Sequence, residues 1–239
     1  AIIESTLQSP VPGWIEGVKV ADAIVFAYAR GKIAYFPANA DATMDIIPAD
    51  LVANGIILAM TKVFTSPNET NVYQCCSSGS NPAKIGELKD MMVEEAQKNY
   101  RAYPKLFKNK QPAKDFTFVS KSVFETTIKA LKMPLGILND VKSFLGQESN
   151  QDKMLKNIDT ALTLSTTFSF YGFPKYRFHN GKLLALAEEL GETPDGEFPV
   201  DAKLINWEKY FGKDHLAGLE KYALKASKIP VPKKIKAKA

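Results

Sequence analysis

Ala1-Ile2-Ile3-Glu4-Ser5-Thr6, running into Ser9, Pro10, Pro12 and Gly13, is the stretch whose reading decides the fold. A short apolar run that gives way to Ser, Pro and Gly reads as a buried strand ending in a ligand-facing loop, the signature of an α/β architecture. No capping or turn residue precedes it, so its sheet partners are expected upstream, outside this chain. Deprived of them, the strand is expected to be prone to pairing with another copy.

The pattern that follows is consistent with that start. Gly17 to Ala29 carries apolar residues at helical spacing, and Gly31 closes it from the C′ position. Pro48, Asp50, Leu51, Val52, Ile56, Ile57, Met60 and Val63 predict a second helix of mostly buried character with Pro48 in its first turn. Asp45 and Asp50 flank that helix start, where negative charge is stabilising, and both read as structural. Asn71 to Cys76 predicts an apolar strand, Ser77-Ser78-Gly79-Ser80-Asn81-Pro82 a turn, and a third helix begins near Lys84. Strand, helix, helix, strand, helix is α/β logic.

From Pro104 the texture changes. Residues 105–114 are polar and bounded by prolines, which marks a boundary or crossover. Helical patterns follow over 122–131, 134–145, 151–168, 182–190 and 214–226, the last with Asp214 as N-cap, and no strand-like alternation interrupts them. The expected division is therefore 1–104, an α/β unit; 105–226, mainly α-helical; and 227–239, a basic tail.

Composition narrows the function classes. The net charge of +5 is concentrated at the end: residues 225–239 hold six lysines and no acid, and elsewhere acids and bases nearly balance. A lysine-rich tail can touch nucleic acid or anionic lipid, but the favoured reading is a solvated, disordered terminus, so no nucleic-acid partner is expected. A second basic stretch from Lys98 to Lys114 reads as an exposed linker. No apolar run is long enough to span a bilayer. Cys75 and Cys76 are adjacent, which disfavours both a mutual disulfide and tetrahedral ligation. Buried strand thiols in a reducing, cytoplasmic setting are expected.

The chemistry-bearing motifs are incomplete. No closely spaced glycines cradle a pyrophosphate; Gly79 and Gly86 stand too far apart. Tyr28…Lys32 and Tyr171…Lys175 have the spacing of a carbonyl-reducing pair, but Gly31 ends the first helix and Gly172 and Pro174 break the second segment. His179 and His215 lack metal-ligand spacing and read as surface or capping residues; no metal is expected. Ser5 and Ser9 lack a nucleophile-elbow pattern, so no Ser/His/Asp arrangement suggests itself.

Ordered motifs along the chain nevertheless resemble one family. Ala1 to Leu7 with Pro10 and Pro12-Gly13-Trp14-Ile15-Glu16-Gly17, then Asp45-Ile46-Ile47-Pro48-Ala49-Asp50, then Val72-Tyr73-Gln74 leading to Ser77-Ser78-Gly79 and Asn81-Pro82, resemble the alcohol-forming fatty acyl-CoA reductases. Tyr176-Arg177-Phe178-His179-Asn180, Phe198-Pro199-Val200-Asp201, Ile205-Asn206-Trp207, Tyr210-Phe211, Gly218-Leu219 and Tyr222 are similar to their C-terminal male sterility region. Asn206 stands where that family commonly has Asp, which puts a local cap in question.

The resemblance implies that 1–104 is the C-terminal part of a Rossmann-like NAD(P)-binding domain and 105–226 the helical reductase region. It implies an NADPH-dependent parent that reduces long-chain fatty acyl-CoA to aldehyde and fatty alcohol, with its glycine-rich loop and catalytic Tyr and Lys before the position of Ala1. No catalytic residue is expected in this chain, which alone should reduce nothing. By analogy with the fold, Ile3, Glu4 and Ser5 are candidate cofactor neighbours; a buried strand end with Ser5 in a local turn bond is the alternative. Trp14 and Ile15 are candidates for the acyl channel, or else packing beneath the loop. Peripheral membrane contact and a homo-oligomer remain open. The rival reading is a free-standing acyl-CoA- or lipid-binding module.

Overall fold

The computed structural model describes residues 2–19, 21–128, 130 and 170–224. The helical patterns expected over 134–145 and 151–168, and the basic tail, lie outside them.

Among the described residues the fold is mixed α/β, built on three two-stranded pairings. β1 (Ile2–Glu4) runs parallel to β4 (Ile46–Pro48) with Ile2 opposite Ile46. Thus β1 has a partner downstream in its own chain, contrary to the expectation that its partners lie upstream. The physical reason is that Ile46 and Ile47, fully buried, offer a second β-branched edge at the right height. β2 (Tyr35–Pro37) runs parallel to β6 (Thr117–Val119), and β3 (Thr43–Met44) antiparallel to β5 (Ala83–Lys84). β6 corrects the reading that no strand follows residue 104: Phe116 and Phe118 bring this short run back to β2, with Phe116 also against Tyr28.

The helices keep their expected places with shifted ends. α1 (Asp22–Ala29) starts later than Gly17, whose φ of +83° holds the preceding loop, and Gly31 sits at C′ with φ +62°. α2 (Ala49–Thr65) begins after Pro48, whose extended backbone belongs to β4. It buries Leu51, Gly55 and Leu58 but leaves Ile56, Ile57, Met60, Val63 and Phe64 exposed, so it is not mostly buried. One stripe at helical spacing meets the core, and the apolar residues off that stripe have nothing over them among the described residues. α3 (Ile85–Asn99) starts as expected, with the Glu87 carboxylate reaching back to accept from the Lys84 N–H at 3.2 Å. α4 (Pro104–Phe107) is one turn, residues 121–128 are helical, and α5 (Gly181–Glu189) packs on α2 through Leu58, Leu183 and Leu186.

Asn71 to Cys76 forms no strand. The chain there passes over α2, with the Cys75 thiol directed at the Leu51 carbonyl, and the next two amides turn to the Asp45 carboxylate instead of a strand neighbour.

The last helix, α6, begins well before Asp214. It comprises a π segment Glu208–Asp214, an α segment His215–Gly218 and a π segment Leu219–Ala223. Asn206 caps its entry, its side-chain oxygen accepting from the Lys209 N–H at 3.0 Å, so the Asp-to-Asn departure preserves the cap. Tyr210, Phe211, Leu216, Leu219 and Ala223 join Leu7, Ile15, Ile46, Ile47 and Leu51 in one core cluster. Residues from both sides of Pro104 therefore share a core.

The loop after β1 lies directly on α6. Gly13, at φ +77°, would place a Cβ 2.1 Å from the Asp214 carbonyl oxygen, and a Cβ on Gly218 would come within 1.7 Å of the Gly13 oxygen. No side chain fits between two backbones this close. Gly218→Ala is expected to destabilise the protein by about 2–4 kcal/mol through the forced separation of loop and helix. Urea unfolding followed by circular dichroism measures this; a midpoint equal to wild type would refute the close contact.

Candidate functional site

A cavity of about 850 Å³ opens beside β1. Ile2 and Ile3 form one wall, Val18 and Lys19 come from the loop before α1, Met44 ends β3 and Asp45 joins it to β4, and Tyr171, Pro174, Tyr176 and Phe178 close the far side. The aromatic side is self-supporting: the Tyr176 ring lies 5.2 Å from Phe178 and 5.8 Å from Phe170, centroid to centroid.

Two carboxylates set the cavity's frame from beneath. Asp45 accepts from the Ser77 and Ser78 N–H groups, each at 3.2 Å, and from the Ser78 hydroxyl, while Ser78 Oγ accepts from the Phe178 N–H at 2.9 Å. This chain of bonds fastens the Tyr176-Arg177-Phe178-His179-Asn180 stretch onto the Ser77–Asn81 turn. Asn180 adds a bond to Ser80 Oγ, and the Asn81 amide donates to the Ala202 and Ile205 carbonyls while accepting from the Trp207 indole. Asp50 holds the loop after β1, accepting from the Leu7, Gln8 and Ser9 N–H groups at 2.8, 2.7 and 3.0 Å. Both aspartates are structural, as their positions at the helix start imply, but they act on remote loops more than on the helix itself.

The residues singled out from sequence divide. Ile3 is 46% exposed and lines the cavity. Glu4 and Ser5 are buried and do not line the cavity, and Ser5 is the first residue past the end of β1. Trp14 is half-buried in the loop that crosses α6, and Ile15 is packed in the core cluster; neither lines the cavity. Tyr171 lines it without Lys175.

Ser5 belongs to a network that sequence reasoning missed. His215 is fully buried, not at the surface, and shares a 2.9 Å hydrogen bond between its Nδ1 and Ser5 Oγ. Its Nε2–H donates to Asp22 Oδ1 at 2.8 Å. The Lys19 N–H donates to Asp22 Oδ2, the Tyr210 hydroxyl donates to the Ser5 carbonyl at 2.6 Å, and Phe211 stacks on the imidazole. A Ser/His/Asp line thus does exist, assembled across 210 residues, which is why no local motif announced it. With all three members sealed from solvent, it braces the fold and presents no nucleophile to a substrate. The only local hint is spacing: His215 falls four residues after Phe211 and four before Leu219 on the buried stripe of α6.

Burial is the largest influence on the His215 pKa and lowers it, but the Asp22 hydrogen bond and charge, with the Glu4 charge, outweigh it and the net shift is upward. Burial pushes Glu4 up to about 7, against the smaller opposing pull of His215 and Lys19.

Two family models, both described as Male sterility protein, match the chain: an NAD-binding one over residues 1–56 and a second over residues 130–226. Both matches carry the male sterility description, and together they take in more than half of the chain. Among its curated relatives are fatty acyl-CoA reductase 2, chloroplastic, of Arabidopsis thaliana (29% identical over 94% of this chain and 38% of the relative) and probable fatty acyl-CoA reductase 5 of the same plant (30%, 94% and 47%). The alcohol-forming fatty acyl-CoA reductase of Simmondsia chinensis is 29% identical over 93% of this chain and 46% of its own. The chain spans less than half the length of these relatives. No described helix is long and apolar enough to cross a membrane.

Cys75 and Cys76 lie between the two matched stretches, and their thiols are free. Burial raises Cys75 to about 12 and Cys76 to about 11. A raised thiol pKa keeps both neutral at physiological pH, so alkylation by iodoacetamide at pH 8 should run at least about tenfold slower than for an unhindered cysteine and accelerate only as the pH climbs toward those values. Rapid labelling of the folded protein at pH 8, read by intact mass, would contradict this.

Proposed function

We propose that this chain supplies the substrate-side portion of an NADPH-dependent reductase that converts long-chain fatty acyl-CoA to aldehyde and then fatty alcohol. The observation that carries the reading is the cavity beside β1: its wall of Ile2, Ile3, Val18, Met44, Pro174 and Phe178 suits an alkyl chain, and Lys19 supplies a cation for an anionic part of the ligand. Each methylene buried there contributes roughly 0.8 kcal/mol, so a few methylenes suffice for useful affinity.

Ile3 is an apolar surface against which a nicotinamide ring could rest; Glu4 and Ser5 are turned into the buried network and fit as supports of the strand. NADPH would supply the hydride in each of the two reductions. Asp45 is occupied by its serine partners, and the other titratable groups on the lining, Lys19, Tyr171 and Tyr176, come from separate segments. In this reading the glycine-rich cofactor loop and the Tyr and Lys that protonate the carbonyl oxygen come from outside the 239 residues, and 1–104 and 105–226 are the Rossmann-like and helical parts of the whole reductase. Residues of this chain orient the acyl group and exclude water from it. A free-standing acyl-CoA-binding module would use the same cavity and the same Lys19.

Palmitoyl-CoA should bind the chain saturably in calorimetry, and Met44→Glu, which places a charge in the apolar wall, should weaken binding by about tenfold or more. Equal affinity of variant and wild type would remove the cavity from the proposal. With NADPH and palmitoyl-CoA together, absorbance at 340 nm should stay constant. Oxidation of NADPH by the purified chain would sink the assignment of hydride transfer to residues elsewhere; binding without any reductase activity in the full-length gene product would favour the binding-module reading.

A further inference from the structure

Glu4, Asp22 and His215 come from β1, α1 and α6, and one ligand atom from each lies within 4.8 Å of the others. All three side chains are sealed from solvent. Glu4 is 2% exposed, and neither of its carboxylate oxygens has a hydrogen-bond partner. A buried carboxylate with no partner is costly and needs a proton or a cation beside it. Burial acts on it most strongly, and of the groups that favour its charged form His215 comes first, ahead of Lys19 and the Ala21 backbone.

The surroundings already hold the other two groups from behind. Ser5 Oγ engages Nδ1 of His215, leaving Nε2 pointing inward, and the Lys19 amide holds Oδ2 of Asp22, leaving Oδ1 pointing inward. Phe211 stacked on the imidazole fixes the ring plane, and Tyr210 anchors the Ser5 backbone. Orientation of each ligand through its outer atom is what protein metal sites use to keep the inner atoms convergent. Charge matches as well: two carboxylates and a neutral imidazole sum to the charge that one divalent ion cancels.

We propose that Glu4, Asp22 and His215 form a structural site for a divalent transition-metal ion, with Zn²⁺ the best fit. One imidazole nitrogen with two carboxylates is a donor set for zinc, whereas calcium and magnesium favour oxygen alone. Glu4 has two free oxygens with which to complete the coordination. Binding requires the His215 proton on Nδ1, donated to Ser5 Oγ, in place of Nε2. The Nε2 to Oδ1 distance of 2.8 Å then opens by about half an ångström to admit an ion at ordinary zinc–ligand lengths. The ion ties the first strand to the first and last helices.

The test uses the full chain, stripped of metal and then exposed to Zn²⁺ alone. One equivalent should remain after gel filtration, measured by elemental analysis, and the melting temperature should rise by about 5 °C or more. Co²⁺ in its place should give visible ligand-field absorption. Glu4→Gln, which keeps the volume and removes the charge, should abolish stoichiometric retention and the thermal shift. Wild-type protein that retains no stoichiometric zinc and shows no cobalt band would overturn the proposal and leave a proton as the occupant of the cluster. Retention undiminished in a folded Glu4→Gln variant would overturn it equally, by placing the ion elsewhere; should that variant not fold, the wild-type zinc stoichiometry and cobalt band decide.

Discussion

The bond line from Ser5 through His215 to Asp22 is the constraint around which this structure is arranged. It joins residues near the two ends of the described chain, in a place with no water to take over if any partner leaves. Loss of one member strands the others, so these polar contacts specify geometry more sharply than the apolar packing around them. The register of β1 against β4, the entry of α1 at Asp22 and the rotation of α6 must all be right at once for the line to close. The Gly13 and Gly218 contact has the same consequence by a steric route: only bare backbone lets the loop after β1 lie flat on α6.

The cavity beside β1 depends on that arrangement. β1 serves two surroundings, since Ile2 and Ile3 line the cavity while the chain from Glu4 onward turns into the buried polar line. The opposite wall is held by a different device, the Asp45, Ser78 and Phe178 series, which carries the aromatic stretch from Tyr176 onward. Asp45 and Asp50, six residues and one residue before Leu51, thus organise loops far from them in sequence. Their common feature is a carboxylate that accepts several backbone N–H groups, an economical way to hold a loop that has no strand to pair with.

Much of the architecture was legible from local chemistry. Gly31 at a positive φ ends α1, the 85–99 helix starts where the apolar spacing begins, and the Ser77–Asn81 turn forms as its residues suggest. Misreadings came where a local pattern was offered no neighbour or an unexpected one. Asn71–Cys76 has strand-forming composition, yet its following amides are taken by Asp45. Thr117–Val119 is too short to read as a strand, yet β2 was waiting for it. The apolar residues of α2 were correctly read as helical, but period alone does not tell how many faces are covered.

The order of motifs by itself pointed to the male sterility protein likeness that the two family models carry, because such likeness lies in residue identity and spacing, which survive without coordinates. It also determined most of the described helices, since helix signals are local. Only the tertiary structure decided which residues meet: that Ile3 faces the cavity while Glu4 does not, that Ile15 is core, and that His215 lies between Ser5 and Asp22. The physical reason is that strand alternation and helix rotation are set by long-range packing, and a contact across 210 residues leaves no periodic trace in the chain.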